Sequence, residues 1–253
     1  MVEGLDEGLG PTSCVWAGLD GCRSGWVLAL IGPTPRRNGT TISPFELSRH
    51  DRLAEAMAAA AAAGAGHVGL DMPIGLSADG LRRADQEART LLGARRSTVF
   101  PTPARAVLGA ADYPEALLRS RRATGKGLSI QAWNLMAKIA EVDAWIDPGR
   151  AERVFEVHPE LAFARLAGAP LPEPKKTPAG RARRLVLLGR ALGLNDAEAA
   201  GLAALRLRPG VAPDDLLDAL AVACSTRTLA AGSGMILGDS AADERGLIQR
   251  ICF

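Results

Sequence analysis

The sequence predicts an α/β protein: a mixed five-stranded sheet flanked by helices, with a helical insertion after the fourth strand. Three observations predict it. Val15–Leu19 and Gly25–Gly32 are short unbroken apolar runs joined by a glycine-bracketed turn, the pattern of two buried strands in a hairpin. The Ala-rich stretch His50–Gly64 has helical length and leads into another apolar run, His67–Met72. Pro73–Ile146 then changes character, with helical periodicity and many basic residues.

The elements follow in order. After the first hairpin, Thr40–Leu47 reads as a third strand, and Pro44 within it argues for an edge position or a bulge. Leu53 and Met57, four apart, give the following helix one apolar face, and Gly64 and Gly66 stop it. That helix supplies the crossover a parallel fourth strand needs, setting His67–Met72 beside the first strand. The insertion, residues 73–146, should hold helices at Ala78–Leu92, Tyr113–Arg122 and Ser129–Ile146, and should cover one end of the sheet. On the last of these helices, Leu135, Ile139, Val142 and Ile146 make one face, and Gln131, Asn134, Lys138 and Glu141 another. Arg153–Pro159 is the fifth strand. Helices follow at Leu161–Leu166, Ala179–Leu192 and Asp196–Leu207, then a long one opening at Pro213. Met235–Leu237 and Leu247–Phe253 form a closing hairpin. Residues 1–14 are Gly-rich and acidic and read as a loose tail, leaving residues 15–253 as one domain.

Composition narrows the chemistry. Hydrophobic residues at 47% supply an ample core, and no apolar run approaches the ~18–20 residues of a membrane span. The start of the chain lacks the basic and apolar regions of a secretory signal, so a cytoplasmic protein is expected. The four cysteines show no CxxC spacing, which indicates neither a zinc site nor a disulfide framework. With three histidines in the chain (His50, His67 and His158), any metal site must be mostly carboxylate.

Acids recur at strand ends. Asp20 ends the first apolar run and Asp71 the fourth, and the topology brings both to one edge of the sheet. Asp215 and Asp218, three apart, share a face of the last long helix. Asp214 and Asp215 suit a helix start, but Asp218 lies within an apolar stretch one turn further in. The rest of that helix is small and apolar, so it should pack on the sheet and lean its acidic end over Asp20 and Asp71. Four such carboxylates repel one another unless a cation neutralises them. All-oxygen ligation suits Mg²⁺ or Mn²⁺, and a pair of ions about 3.5–4 Å apart is the arrangement that serves phosphodiester cleavage. Glu156 is a further acid in the fifth strand and a reserve ligand, with His158 a reserve base.

This acidic order resembles the ribonuclease H-like fold, nearest the Holliday-junction resolvase branch of the RuvC type. Asp20, Asp71 and the segment Asp215-Leu216-Leu217-Asp218-Ala219 stand in that branch's pattern. More closely, the chain resembles the domain-of-unknown-function 429 family of predicted nucleases, through GLDGCRSGW (18–26), LDMPIGL (70–76), GARRSTVFPTPAR (93–105), QAWNLMAKIAEVD (131–143), VFEVHPELAF (154–163), KKTPAGRARRL (175–185) and DDLLDAL (214–220). The resemblance implies a metal-dependent nuclease with Asp20, Asp71, Asp215 and Asp218 as metal ligands. The insertion after Asp71 departs from the resolvase pattern.

Nucleic acid is the partner this implies. Pro73–Lys126, the first part of the insertion, carries ten Lys and Arg residues. Arg95, Arg96, Arg105, Lys138, Lys175 and Lys176 are candidates for holding phosphates, and Ser97 and Thr98 add neutral donors. Aromatic residues make up 4% of the chain, too few for a stacking platform, so recognition through backbone or shape is expected. The competing reading is a non-catalytic module that binds a nucleotide, a phosphate or a protein in the same cleft. A phosphotransferase of the sugar-kinase and actin type also begins with an Asp-Gly turn. It needs a second such hairpin, and the later half of the chain has none.

Overall fold

The computed structural model describes residues 15–32, 36–37, 40–41, 44–205 and 210–253. Strands β1 (Val15–Cys22) and β2 (Gly25–Ile31) form the expected hairpin, closed by a turn at Arg23–Ser24. Gly25 adopts φ +139°, and a side chain there would meet the His50 carbonyl at 2.1 Å. Strand β3 (Phe45–His50) pairs antiparallel with β2. It begins five residues later than Thr40–Leu47 predicts: Thr40–Thr41 pair instead with Arg36–Arg37 in a separate ribbon. Pro44 stands just before the strand, and β3 is an edge of the sheet. Residues 42–43, and the tail 1–14, lie outside the described residues.

Helix α1 (Leu53–Ala62) crosses over to β4 (Ala65–Leu70), which runs parallel to β1. Strand β5 (Val154–Glu156) adds parallel to β4, giving the order β3-β2-β1-β4-β5. This mixed sheet is consistent with a ribonuclease H-like fold. Between β4 and β5 lie α2 (Arg83–Leu92), α3 (Tyr113–Thr124) and α4 (Ile130–Trp145). Helix α2 starts five residues after the expected Ala78, because the Ser77 hydroxyl accepts the Gly80 amide in a local turn that competes with helix. After β5 come α5 (Pro159–Ala167), α6 (Pro178–Leu192), α7 (Asp196–Ala204) and α8 (Pro213–Ala230). Strand β5 is shorter than Arg153–Pro159 predicts, since Pro159 opens α5 and His158 becomes its N-cap. Residues 206–207, expected at the end of α7, lie outside the described residues. The closing hairpin is present as β6 (Ile236–Ala242) and β7 (Ile248–Cys252). No helix among the described residues is long and apolar enough to cross a membrane.

Two apolar layers sandwich the sheet. On one face Ala17, Leu19 and Leu28 pack against Leu53, Ala56 and Met57 of α1 and Ile139 and Val142 of α4. On the other, Val27, Ala29 and Ile31 pack with Leu216, Leu220 and Ala223 of α8, and Phe163 and Leu188 of α5 and α6 extend that layer. Helix α8 is buried from Leu216 to Thr226 without interruption. It seats against bare backbone: a side chain at Gly18 would lie 2.3 Å from the Ala219 carbonyl oxygen. One at Gly69 would lie 2.3 Å from the Thr226 hydroxyl. These two glycines let α8 approach β1 and β4 closely, which decides where its acidic first turns sit.

Candidate active site

The parallel strands place the acids in one row. Leu19, Leu70 and Glu156 are register partners across β1, β4 and β5. One residue on, the Asp71 amide donates to the Leu19 carbonyl at 2.9 Å, so Asp71 continues the ladder beside Asp20. Strand β1 runs on to Cys22, so Asp20 lies inside the strand and not at its tip. Asp20 shares the face of Gly18, the face α8 covers, because side chains alternate along a strand. Asp218, 1% exposed on α8, completes the group. The carboxyl ends of parallel strands are where open α/β sheets bind ligands.

Charge accumulates here against its own electrostatics. Burial, then the neighbouring Asp71 and Asp218, raises the Asp20 carboxyl well above the usual carboxylate range. Burial and Asp218 push Asp71 up to about 7. Burial raises Asp218 to about 6, although Lys175 pulls the other way. Lys175 Nζ donates to Asp218 Oδ2 at 2.5 Å and stands 3.6 Å from Asp214. Burial opposes the charge on Lys175, but Asp218 and Asp20 more than restore it. Asp215 does two things. Its Oδ2 accepts the Ala212 amide at 2.8 Å, capping α8, and its side chain also lines the site.

A cavity of about 380 Å³ lies over these acids. Of the residues proposed from sequence, Asp20, Asp71, Asp215, Asp218, Glu156, His158, Arg95, Ser97, Thr98 and Lys175 line it. Arg96 and Lys176 are exposed and outside it. Arg105 is drawn away to Asp143 at 3.2 Å, to Glu244 at 3.1 Å and to Asp243. Lys138 donates to the Gly25 carbonyl at 2.6 Å, with its ammonium 4.6 Å from the centre of the Trp26 ring.

Glu156 is engaged elsewhere. Its two oxygens accept from Arg82 at 2.6 and 2.7 Å, and one also accepts the Ile74 amide at 2.7 Å. Arg82, 2% exposed, reaches Asp85 at 2.6 Å as well, and Asp85 in turn accepts the Thr102 amide at 2.9 Å. Four chain segments are thus tied behind Asp71: the loop at Ile74, α2, β5 and the loop at Thr102. Arg82 and Asp85 were not singled out from sequence, because an Arg and Asp three apart at a helix start read as an ordinary solvated pair. Glu160, which the sequence reading did not place in the site, also lines the cavity, with both oxygens held by Arg184 at 2.8 and 2.9 Å. The insertion closes the site from above through the turn Gly93–Thr98, where His158 Nε2 lies 3.3 Å from the Thr98 carbonyl. A carbonyl only accepts, so Nε2 is the protonated nitrogen, and Nδ1 is buried without a partner. Burial lowers the His158 pKa, which favours this neutral form.

The donor set of Asp20, Asp71, Asp215 and Asp218 is all carboxylate, the chemistry a hard divalent cation takes. As the side chains stand, no group of three or more His, Cys, Asp or Glu among the described residues is arranged to hold a metal ion, and Lys175 supplies the neutralising charge. Comparison with curated proteins and with solved structures finds no match. The sequence profile of a family described as "Protein of unknown function (DUF429)" matches residues 18–242, nearly the whole chain, and the chain belongs to that family.

Proposed function

We propose that this protein is a Mg²⁺- or Mn²⁺-dependent phosphodiesterase acting on nucleic acid. The observation that carries the reading is the convergence of Asp20 inside β1, Asp71 just past the end of β4 and Asp218 on α8, in one cluster whose carboxyls are all raised. Perturbed carboxylates in a cavity at the carboxyl ends of parallel strands have the placement and electrostatics of a functional site. Asp20, Asp71 and Asp218, with Asp215, would hold the cation, whose chemistry when bound is to stabilise charge on phosphoryl oxygens and to promote water as a nucleophile. Arg95 and Lys175 offer positive charge to the phosphate from the cavity wall. The free lone pair of His158 Nδ1 can accept a proton from water or a hydroxyl.

One observation favours a second reading, a binding module without catalysis. Lys175 already pairs with Asp218, so part of the acidic charge is neutralised by the chain itself. The test is cleavage of end-labelled DNA and RNA by the purified protein with Mg²⁺, Mn²⁺ or chelator, alongside calorimetric titration of Mn²⁺. Metal-dependent cleavage supports the nuclease. No cleavage and no heat of Mn²⁺ binding would leave the binding module.

A further inference from the structure

The cavity itself speaks to what enters. Its lining includes two apolar side chains from the insertion, Phe100 and Leu135 of α4, together with the acids. At about 380 Å³ it sits at the low end of small-ligand pockets, which run from about 300 to 1,000 Å³. A duplex needs a broad, strongly positive face, since specific protein–DNA interfaces bury about 1,000–2,500 Å² of protein. The residues that would have widened a basic track are turned to other work: Arg105 to its three acids and Lys138 to Gly25 and Trp26.

Two polar groups in the cavity have capacity left over. Glu160 is already satisfied by both bonds from Arg184, so the contact of Arg95 to Glu160, at 3.4 Å, is long and redundant. Arg95 Nε is buried with no partner. Buried donors are seldom left unpaired, and a guanidinium fork matches a phosphate. His158 Nδ1, the second unpaired atom, is an acceptor and calls for a hydroxyl or water. An anion beside Arg95, a hydroxyl beside His158 and a flat apolar group against Phe100 and Leu135 together describe a nucleoside monophosphate.

We propose that the cavity admits one nucleotide unit at a strand end, its phosphate beside Arg95 and its base against the Phe100–Leu135 wall, and excludes uninterrupted duplex. This deepens the phosphodiesterase reading and rests on it for the cleavage step only. That step is hydrolysis: water adds at phosphorus, the bond to the neighbouring sugar oxygen breaks, and that oxygen leaves with a proton.

The experiment has a binding arm and a cleavage arm. Nucleoside 5′- and 3′-monophosphates and the parent nucleosides are titrated by calorimetry into the wild type, Arg95→Gln, Arg95→Lys and the exposed control Arg83→Gln. A monophosphate should bind one to one, and the nucleoside about tenfold or more weaker, as should the monophosphate to Arg95→Gln, through loss of charge-assisted bonds. Arg95→Lys should recover part of the affinity and Arg83→Gln should match wild type, with thermal melts confirming that each variant folds. In the cleavage arm, linear single strands should release mononucleotides with Mn²⁺ while covalently closed duplex circles stay intact. Failure of every monophosphate to bind the wild type overturns the proposal, whatever the activity. Cutting of closed circles as fast as linear strands overturns it while leaving the nuclease standing. Monophosphate binding with no cleavage of any polymer sustains the pocket assignment and sinks the nuclease.

Discussion

Lys175 Nζ stands 2.5 Å from Asp218 Oδ2, so a side chain from the loop before α6 neutralises an acid on α8 that the fold has buried beside two others. Replacing Lys175 by Gln leaves that acid unpaired. Removing one partner of a buried pair costs about 3–5 kcal/mol. Lys175 is 35% exposed, so solvent screening reduces the expected loss to about 1–3 kcal/mol. Thermal melts in chelator should show a drop of about 2–10 °C for a chain of this size. Added Mn²⁺ should restore more of the melting temperature in the variant than it adds to wild type. Equal gains in the two proteins would show that the cation and the ammonium do not share the acids.

Asp20→Asn keeps the shape of the side chain and removes a charge from the crowded row. In chelator the variant should melt at or above the wild-type temperature, because repulsion with Asp71 and Asp218 is relieved. Cleavage should fall by about 100-fold or more, the equivalent of losing a few kcal/mol of transition-state stabilisation. Asp196→Asn, at the exposed start of α7, should alter neither. A large loss of melting temperature in Asp20→Asn would mean that the carboxylate is a structural acceptor.

The pH dependence of stability follows from the direction of the shifts. Asp71 is raised to about 7 and Asp218 to about 6 in the folded state, whereas carboxylates in an unfolded chain titrate near 4. The folded state therefore holds protons more tightly. The stability these groups contribute is complete below about pH 4 and is lost as pH rises through about 6 to 7. Melts in chelator should show this loss across that window, on top of whatever the other groups do. Asp71→Asn should flatten it, and so should saturating Mn²⁺. A profile identical in wild type and Asp71→Asn would place the titration elsewhere.

Arg82 holds Glu156 and Asp85, and all three side chains are buried. Arg82→Ala leaves two buried carboxylates without their cation and should cost about 3–5 kcal/mol. The neighbouring Arg83 pairs with Glu87 on the surface, and Arg83→Ala should stay within about 0.5 kcal/mol. Chemical denaturation of the two variants checks the contrast. Similar midpoints would show that the buried network carries little of the stability.

The sequence by itself determined the order of elements and the row of acids. Periods of 2 and 3.6 are local properties, and so are the Pro and Gly signals that start and stop helices. That is why β1, β2, α1, β4, α4, α6 and α8 lie close to where the residues place them. The crossover rule then requires β4 beside β1, and with it Asp71 beside Asp20. What only the tertiary structure decided is what each polar side chain is paired with. Arg105 and Lys138 look as available as Arg95 in the sequence, yet acids from Asp143 to Glu244 claim one and the Gly25 carbonyl claims the other. Glu156 reads as a spare ligand until Arg82, 74 residues away, takes both its oxygens. The seating of α8 on Gly18 and Gly69, which carries Asp218 to Asp20, depends on two backbones meeting with no side chain between them. A pairing between distant segments depends on where packing brings them, and that is a property of the whole chain, with no period or spacing to announce it.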